Sequence, residues 1–515
     1  MADRQPNFLV FCVDQMRADH IGCMGNDIIR TPHLDGLAAE GVACRRAYVN
    51  NPLCMPGRAT LFTGMTPRAH RVRTNGIPLE PRWPTVPQIL SEAGYATASI
   101  GKIHLTPYQL HPNFEKTVTD PLDFPECEQY WNADRIDAVP TPYFGLDHVD
   151  LTIGHGCHTT GDYARWLRKT NPDAYAMMRS GRVKPSPRGS EQSGILPMDE
   201  KLHHTAYVAD RTLDWLEGRD ASKPFYLMCS FPDPHHPYHV PEAWAEMYDP
   251  DTIPIPPARE GELDGLAPFF RKIHDESIQL SGRGRATKLP DGHIQEILAY
   301  TYALVSQVDH HIGRVLAKLD AEGLTENTVV VFLSDHGDMM GDHELINKGP
   351  FHFEGLLRIP HIWRWPGRFA PRQTDGLASL LDFAPTVLDL ADVAYPEGPA
   401  SPEAPAQPPA LPGRSLKPLL QGETESVQDS VVVENDEDYL GLRLRTLVTA
   451  THKITTYTGH RGPEPYGELF DLAADPHELH NLWDTDPALR QALIEQLHHR
   501  LVETDCALPR RLSHA

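Results

Sequence analysis

The sequence predicts an α/β protein built on a mostly parallel β-sheet. Short apolar runs, which suit buried strands, alternate along the chain with amphipathic stretches, which suit helices. The predicted strands cover Phe8 to Val13, Tyr95 to Ile100, Phe225 to Phe231 and Val329 to Leu333. Because parallel strands need long connections that are usually helical, this alternation favours a large sheet with helices packed on it.

The clearest predicted helix lies just before the fourth strand. Its apolar residues recur three or four positions apart, which places them on one helical face. They are Tyr302, Val305, Val308, Ile312, Val315 and Leu319. A shorter helix, Thr85 to Ala93, is predicted before the second strand.

The composition divides the chain into two parts. A catalytic α/β domain is predicted over residues 1–394, with an irregular segment at 105–200 that is rich in Pro, Gly, His and Asp and suits substrate-selecting loops. A Pro-rich linker follows at 395–415, and a smaller α+β subdomain and tail at 416–515. The subdomain's predicted elements are strands Ser426 to Glu434, Arg443 to Ala450 and Lys453 to Thr458, and a helix from Pro487 to Leu501.

Charge and composition exclude some classes of function. The chain has 47 Lys and Arg against 70 Asp and Glu, a formal net charge of −23. This argues against a general nucleic-acid or membrane-surface binder, although a few local cations still suffice for a small anionic substrate. With no long apolar stretch, no recognisable signal peptide and eight scattered Cys, the chain is expected to be cytoplasmic.

Polar residues recur just after the carboxyl ends of the predicted strands. They are Asp14, Lys102, His104, His235, Asp335 and His336. In an open parallel sheet this edge is where ligands bind, so the residues are expected to converge there. Two carboxylates and an imidazole, from Asp14, Asp335 and His336, suit a divalent cation.

Cys54 precedes a predicted helix that has Pro56 in its first turn, a position where the missing N–H costs little. A nucleophile at a helix N-terminus is close to free N–H groups and the positive end of the helix dipole. Arg58 adds a permanent cation. A lone Cys would more simply be a buried apolar thiol, so the residues around it decide.

The run from Cys54 to Gly64 resembles the signature of the sulfatase family, within the alkaline phosphatase-like superfamily and close to its arylsulfatase and phosphonate monoester hydrolase group. The shared pattern is Cys-x-Pro-x-Arg followed by Thr-Gly. In that family it directs oxidation of the Cys to formylglycine by a maturation enzyme. Gly57 stands where many members have Ser.

Further motifs resemble the family in order along residues 6 to 485. They are Val13 to Asp19, with Gln15 replacing a second Asp; Gly101 to His104; Pro234 to Pro237; Ser334 to Gly337, with Lys348 downstream; and Glu468 to Leu472. The resemblance implies a large α/β/α sandwich with a mostly parallel sheet, plus a smaller C-terminal α+β subdomain with a short antiparallel sheet.

The resemblance also implies hydrolysis of a sulfate monoester by a formylglycine gem-diol at position 54. One divalent metal, Ca²⁺ as the family's common choice or Mn²⁺, would be held by Asp14, Cys54, Asp335 and His336. The implied catalytic residues are Cys54, Arg58, Lys102, His104, His235 and Lys348. The substrate would contact Asn75, Lys102, His235 and Lys348.

Several alternatives stay open in the sequence. Asn75 either hydrogen-bonds the transferred group or metal shell, or forms an Asn-Gly turn. His236 and His239 suit loop or pocket residues better than a second metal, because no carboxylate partner is evident. The rival functions are a phosphonate monoester or phosphodiester hydrolase and a non-enzymatic anion-binding protein. Neither the natural ester nor a homo-oligomeric state is readable.

Overall fold

The computed structural model describes residues 5–258, 261–274, 289–396, 411–438, 440–459 and 466–505. Its strands are β1 (Asn7–Val13), β2 (Val42–Cys44), β3 (Ala47–Tyr48), β4 (Ala96–Gly101), β5 (His148–Ile153), β6 (Thr160–Gly161), β7 (Lys184–Pro185), β8 (Ser193–Leu196), β9 (Phe225–Phe231), β10 (Tyr238–Pro241), β11 (Thr328–Ser334), β12 (Arg358–Ile359), β13 (His361–Arg364), β14 (Arg372–Thr374), β15 (Ala378–Ser379), β16 (Ser430–Glu437), β17 (Leu442–Thr449), β18 (His452–Thr458) and β19 (Gly467–Asp471).

The α-helices are α1 (Pro32–Ala39), α2 (Cys54–Thr63), α3 (Pro67–His70), α4 (Val86–Glu92), α5 (Pro112–Glu115), α6 (Glu128–Asn132), α7 (Asp162–Thr170), α8 (Pro172–Arg179), α9 (His204–Gly218), α10 (Pro268–His274), α11 (Asp291–Ala321), α12 (Glu354–Leu357), α13 (Phe383–Ala391), α14 (Lys417–Leu420) and α15 (Pro487–Glu503). Within the described ranges, none of them is both long and apolar enough to cross a bilayer.

The predicted large sheet is confirmed, and its described part has nine strands in the order β14-β2-β13-β11-β1-β9-β4-β5-β6. The five central strands, β11, β1, β9, β4 and β5, are parallel to one another. Strand β13 pairs antiparallel with β11 at one side, and β6 pairs antiparallel with β5 at the other. The four strands predicted from apolar runs are therefore neighbours at the centre of the sheet.

Helices cover both faces of this sheet, because the side chains of each central strand alternate between two cores. On β1, Phe8 and Val10 belong to a core shared with α2, α4 and α13. Leu9 and Phe11 belong to the opposite core, shared with α1, α9 and α11. The apolar face predicted for α11 is buried in the second core, which completes an α/β/α sandwich.

The segment at 105–200 is more regular than predicted. It supplies β5 and β6 to the main sheet, and β7 and β8 to a second sheet with β10. Strand β5 was missed because its sequence, His-Val-Asp-Leu-Thr-Ile, mixes polar and apolar residues where the other central strands are continuously apolar.

The C-terminal part contains an antiparallel sheet in the order β16-β17-β18-β19. The predicted short antiparallel sheet is thus confirmed. Helix α15 packs Leu493 and Leu497 on one face of it, and Phe351 and Phe353 of the larger part approach the other. The strand β19 was not predicted. Of the predicted linker at 395–415, residues 397–410 lie outside the described residues.

Candidate active site and metal centre

The ends of the central strands bring the predicted residues to one edge of the sheet. Because β1 and β11 are parallel with Val13 opposite Ser334, the next residues, Asp14 and Asp335, lie side by side. The backbone N–H of Gln15 donates to Oδ1 of Asp335 at 3.1 Å, which joins the two loops. The strand-end pattern in the sequence therefore reflects a real convergence.

Cys54 is the first residue of α2, and neighbouring loops hold this helix end in place. The N-cap residue, Leu53, provides no side-chain cap. Instead Oδ1 of Asn75 accepts from the N–H of Met55 at 3.0 Å, and Oδ1 of Asn51 accepts from Leu53 at 3.0 Å. Asn75 thus caps the helix that carries Cys54, a role the sequence reading did not include, and it also lines the pocket described below.

The absence of a side chain at position 57 has a steric reason in this chain. A Cβ atom at this position would lie 2.8 Å from the backbone oxygen of Asp335, closer than a carbon tolerates. The missing side chain lets α2 approach the loop of Asp335 and His336. Gly57, where many family members have Ser, therefore allows a close contact between α2 and the loop of Asp335.

The four predicted metal ligands form one buried cluster. The ligand atoms of Asp14, Cys54, Asp335 and His336 all lie within 4.8 Å of one another. The Sγ of Cys54 is 3.6 Å from Oδ1 of Asp14 and 3.1 Å from Nε2 of His336. Two carboxylates, an imidazole and a fourth donor at position 54 fit a divalent cation that prefers oxygen ligands.

Arg58 and Lys102 lie beneath this cluster. Arg58 donates to Oδ2 of Asp335 at 2.7 Å and to the backbone oxygen of Lys102 at 2.8 Å. Lys102 contacts Oδ2 of Asp14, and both cations are almost fully buried. These contacts orient and neutralise the two carboxylates. That Arg58 and Lys102 also neutralise charge on the substrate stays a prediction.

Lys348 lies on the pocket side of Cys54. Its Nζ is 3.0 Å from Sγ of Cys54, 2.8 Å from Nε2 of His235 and 3.1 Å from Nε2 of His336. Burial and Asp14 raise the pKa of the Cys54 thiol, but Lys102, Lys348 and His336 outweigh them, so the pKa is lowered. Position 54 therefore favours a negatively charged group.

His155 is a site residue that the sequence reading missed. Its Nε2 is 3.2 Å from Oδ2 of Asp14, and its ring stacks on that of His235 with the centroids 3.5 Å apart. It follows β5 just as Asp14 follows β1. The strand-end rule would have found His155 if β5 had been recognised.

A pocket of about 430 Å³ opens above Cys54. His104, His155, His235 and Lys348 line it near the cluster. Burial, Lys102 and Arg58 hold the pKa of His104 well below its usual range. Burial, His155 and Lys348 do the same for the pKa of His235, so both rings are neutral near pH 7.

This combination defines the class of protein. The parts of a metal-assisted hydrolase of anionic esters are present here. They are a buried cluster of potential metal ligands, a nucleophile position at a helix N-terminus, and an ammonium and neutral imidazoles that face a pocket.

The comparisons with known proteins identify the family. The model of the family described as Sulfatase matches residues 6–393, and that described as N-sulphoglucosamine sulphohydrolase, C-terminal, matches residues 341–506. The chain therefore belongs to the sulfatase family, and its activity class is that of a sulfuric ester hydrolase.

Individual relatives agree with this assignment. The chain is 30% identical to an arylsulfatase of Clostridium perfringens, covering 96% of this chain and 95% of the relative. It is 27% identical to the multifunctional alkaline phosphatase superfamily protein PehA of Trinickia caryophylli, covering 99% and 96%. A crystal structure of a phosphonate monoester hydrolase of Agrobacterium radiobacter superposes with a TM-score of 0.78 at 28% identity, covering 97% and 96%.

Proposed function

We propose that this protein hydrolyses a sulfate monoester by means of formylglycine made from Cys54 and one bound divalent metal ion. The observation that carries the proposal is the position of Cys54. It begins α2, its Sγ is 3.1 Å from His336, and it is 3.0 Å from the ammonium of Lys348. A nucleophile at this point is surrounded by groups that stabilise negative charge.

The cofactors supply what the side chains lack. Formylglycine hydrate provides the attacking hydroxyl, and the metal ion provides Lewis-acid stabilisation of negative charge. Asp14, Asp335, His336 and residue 54 hold the ion, with Ca²⁺ favoured by the carboxylates and Mn²⁺ kept open by His336. A maturation enzyme is the required partner for the oxidation of Cys54.

The remaining residues act around the ester. Lys348 and His235 are in contact at 2.8 Å. They bind the sulfuryl group and stabilise the bridging ester oxygen, which leaves as part of the alcohol product. His104 lines the same pocket, so it is placed to take the proton of the second hydroxyl of residue 54 when sulfate is released. Arg58 and Lys102 hold the two carboxylates, Asp335 and Asp14, in place beneath the pocket.

A second candidate is hydrolysis of a phosphonate monoester or phosphodiester. It is favoured by the likeness to the Agrobacterium radiobacter phosphonate monoester hydrolase across nearly the whole chain. The sulfate monoester is favoured by the 30% identity to the Clostridium perfringens arylsulfatase across nearly the whole of both chains.

Turnover by wild type and by Cys54→Ala tests the proposal. The substrates are an aryl sulfate and a phenylphosphonate ester that carry the same leaving group. We expect the aryl sulfate to have the higher kcat/KM, and Cys54→Ala to lose at least about a hundredfold, because the covalent route is removed. Cys23→Ala, which changes a half-buried thiol elsewhere, should retain wild-type activity.

The mass of the peptide that contains Cys54 separates the outcomes. Conversion to formylglycine exchanges sulfur for oxygen and removes two hydrogens. A higher kcat/KM for the phosphonate ester would select the second candidate. An unmodified thiol without turnover of either ester would indicate a non-enzymatic anion-binding protein. Activity of Cys54→Ala above about a hundredth of wild type would exclude covalent catalysis.

A further inference from the structure

A second cluster of metal-ligating side chains lies outside the active site. It consists of His203 and His204, at the start of α9, and Asp233, which follows β9. One ligand atom from each residue lies within 4.8 Å of the other two, and all three residues are buried. The sequence analysis weighed a second metal only at His236 and His239, and neither of them belongs to this cluster.

Distances within this cluster suit a shared ion. Nε2 of His204 is 3.0 Å from Oδ2 of Asp233, and Nδ1 of His203 is 3.8 Å from the same oxygen. Two ligands of a tetrahedral zinc ion, each about 2.1 Å from the metal, lie about 3.4 Å apart. The two observed separations from Asp233, 3.0 and 3.8 Å, lie on either side of that value.

His203 provides an independent indication of a ligand. Its side chain is fully buried, and among the described residues neither of its ring nitrogens has a hydrogen-bond partner. A buried imidazole with both nitrogens unsatisfied costs free energy, and such groups normally have a partner. A metal ion next to Asp233 would satisfy the nitrogen that faces it.

The charge of Asp233 leads to the same conclusion. In the part of the chain that the structure describes, its ion-pair partners are the two imidazoles, and no Lys or Arg is paired with it. Thr205 donates to the same carboxylate, which fixes its orientation. A buried carboxylate without a permanent cation is costly, and a bound dication would neutralise it.

We infer that His203, His204 and Asp233 form a second metal site that takes Zn²⁺ or a similar borderline divalent ion. Two imidazoles and one carboxylate are ligands that zinc prefers, and three protein ligands leave one position of a tetrahedral ion for water. The site joins the start of α9 to the loop two residues before His235. It thereby fixes one end of the segment that lines the catalytic pocket.

The number of zinc ions bound per chain tests this site. Purified full-length protein is stripped with a chelator and dialysed against Zn²⁺, and bound zinc is counted by elemental mass spectrometry. Wild type is compared with His203→Gln and with His361→Gln. His361 is an equally buried histidine, on β13, whose Nε2 accepts from Trp363 at 2.8 Å. Asp335→Asn identifies zinc that enters the catalytic centre.

We expect His203→Gln to bind one zinc fewer than wild type, and His361→Gln to match wild type. Asp335→Asn should keep the zinc of the second site. Equal zinc in wild type and folded His203→Gln would overturn the inference. If His203→Gln does not fold, wild-type crystals grown with Zn²⁺ decide. An anomalous peak between the three side chains is expected, and its absence would reject the site.

Discussion

At the scale of single residues, the site depends on charges that balance one another. Asp14 lies among Lys102, His155 and His336, and Arg58 pairs with Asp335. Burial raises the pKa of Asp14, but Lys102, His235 and His155 together lower it by more than burial raises it. This carboxylate therefore stays ionised. Two buried carboxylates are thus held in place for a metal ion by neighbouring cations and imidazoles.

Gly57 provides a prediction at this scale. Gly57→Ser, which installs the family's frequent residue, should lower the free energy of unfolding by about 1–3 kcal/mol, because its Cβ would clash with the backbone of Asp335. Urea denaturation measures the change. Gly36→Ser is the control, since nothing lies within 4 Å of its Cβ in α1. Equal stability of Gly57→Ser and wild type would show that the two loops separate without cost.

At the scale of elements, helices in this protein are capped by distant parts of the chain. The N-cap of α1, Thr31, forms no side-chain cap. Asp309 of α11 instead accepts from the N–H groups of His33 and Leu34, at 3.3 and 2.8 Å. Asp309 therefore joins α11 to the start of α1. Burial raises the pKa of Asp309 to about 7.

This raised pKa predicts a pH dependence of stability. Between about pH 4 and 7 the folded chain keeps a proton that the unfolded chain has released, so stability from this group falls as pH rises. Asp309→Asn cannot ionise. We therefore expect the free energy of unfolding of Asp309→Asn, minus that of wild type, to be larger at pH 7.5 than at pH 5. Urea denaturation at the two pH values measures this difference.

Asp320→Asn, an exposed change on the same helix, controls for the loss of one carboxylate and should show little pH-dependent difference. If the difference in free energy of unfolding between Asp309→Asn and wild type is the same at both pH values, Asp309 is ionised throughout this range.

At the scale of the whole molecule, the C-terminal sheet supports the loop that leads to Cys54. Nδ2 of Asn51 donates to the backbone oxygen of Glu434 in β16 at 2.7 Å, and Asn50 donates to that of Val432 at 2.9 Å. The N–H of Glu434 donates back to the oxygen of Asn50 at 2.9 Å. The smaller sheet is therefore part of the structure that positions the nucleophile.

Asn51→Ala tests this support. It removes the bond to β16 and the acceptor for Leu53, so Cys54 loses its fixed position. We expect kcat/KM to fall about tenfold or more, because small displacements of a reacting group are costly. Asn327→Ala, which breaks a bond to Gln5 at the opposite end of β11, should leave kcat/KM unchanged. Wild-type kcat/KM in Asn51→Ala would show that α2 is positioned without β16.

The sequence was most informative where the signal is local. Continuous apolar runs identified the central strands, and the polar residues after them identified Asp14 and Asp335. Contacts that depend on strand order were not readable: His155 required β5, whose polar residues hid it, and Asp233 became a partner of His203 only through packing. The same holds for the capping roles of Asn75 and Asp309, which join residues far apart in the chain.

The burial of Cys54 also has a consequence for when the protein becomes active. In the finished fold this residue is 2% exposed, at the start of a helix and under Lys348. An enzyme that oxidises Cys54 would have to reach it, so we expect the proposed conversion before the fold buries this residue. A chain that folds before oxidation would keep its thiol. The fraction of active enzyme would then depend on the rate of oxidation of Cys54 relative to the rate of folding.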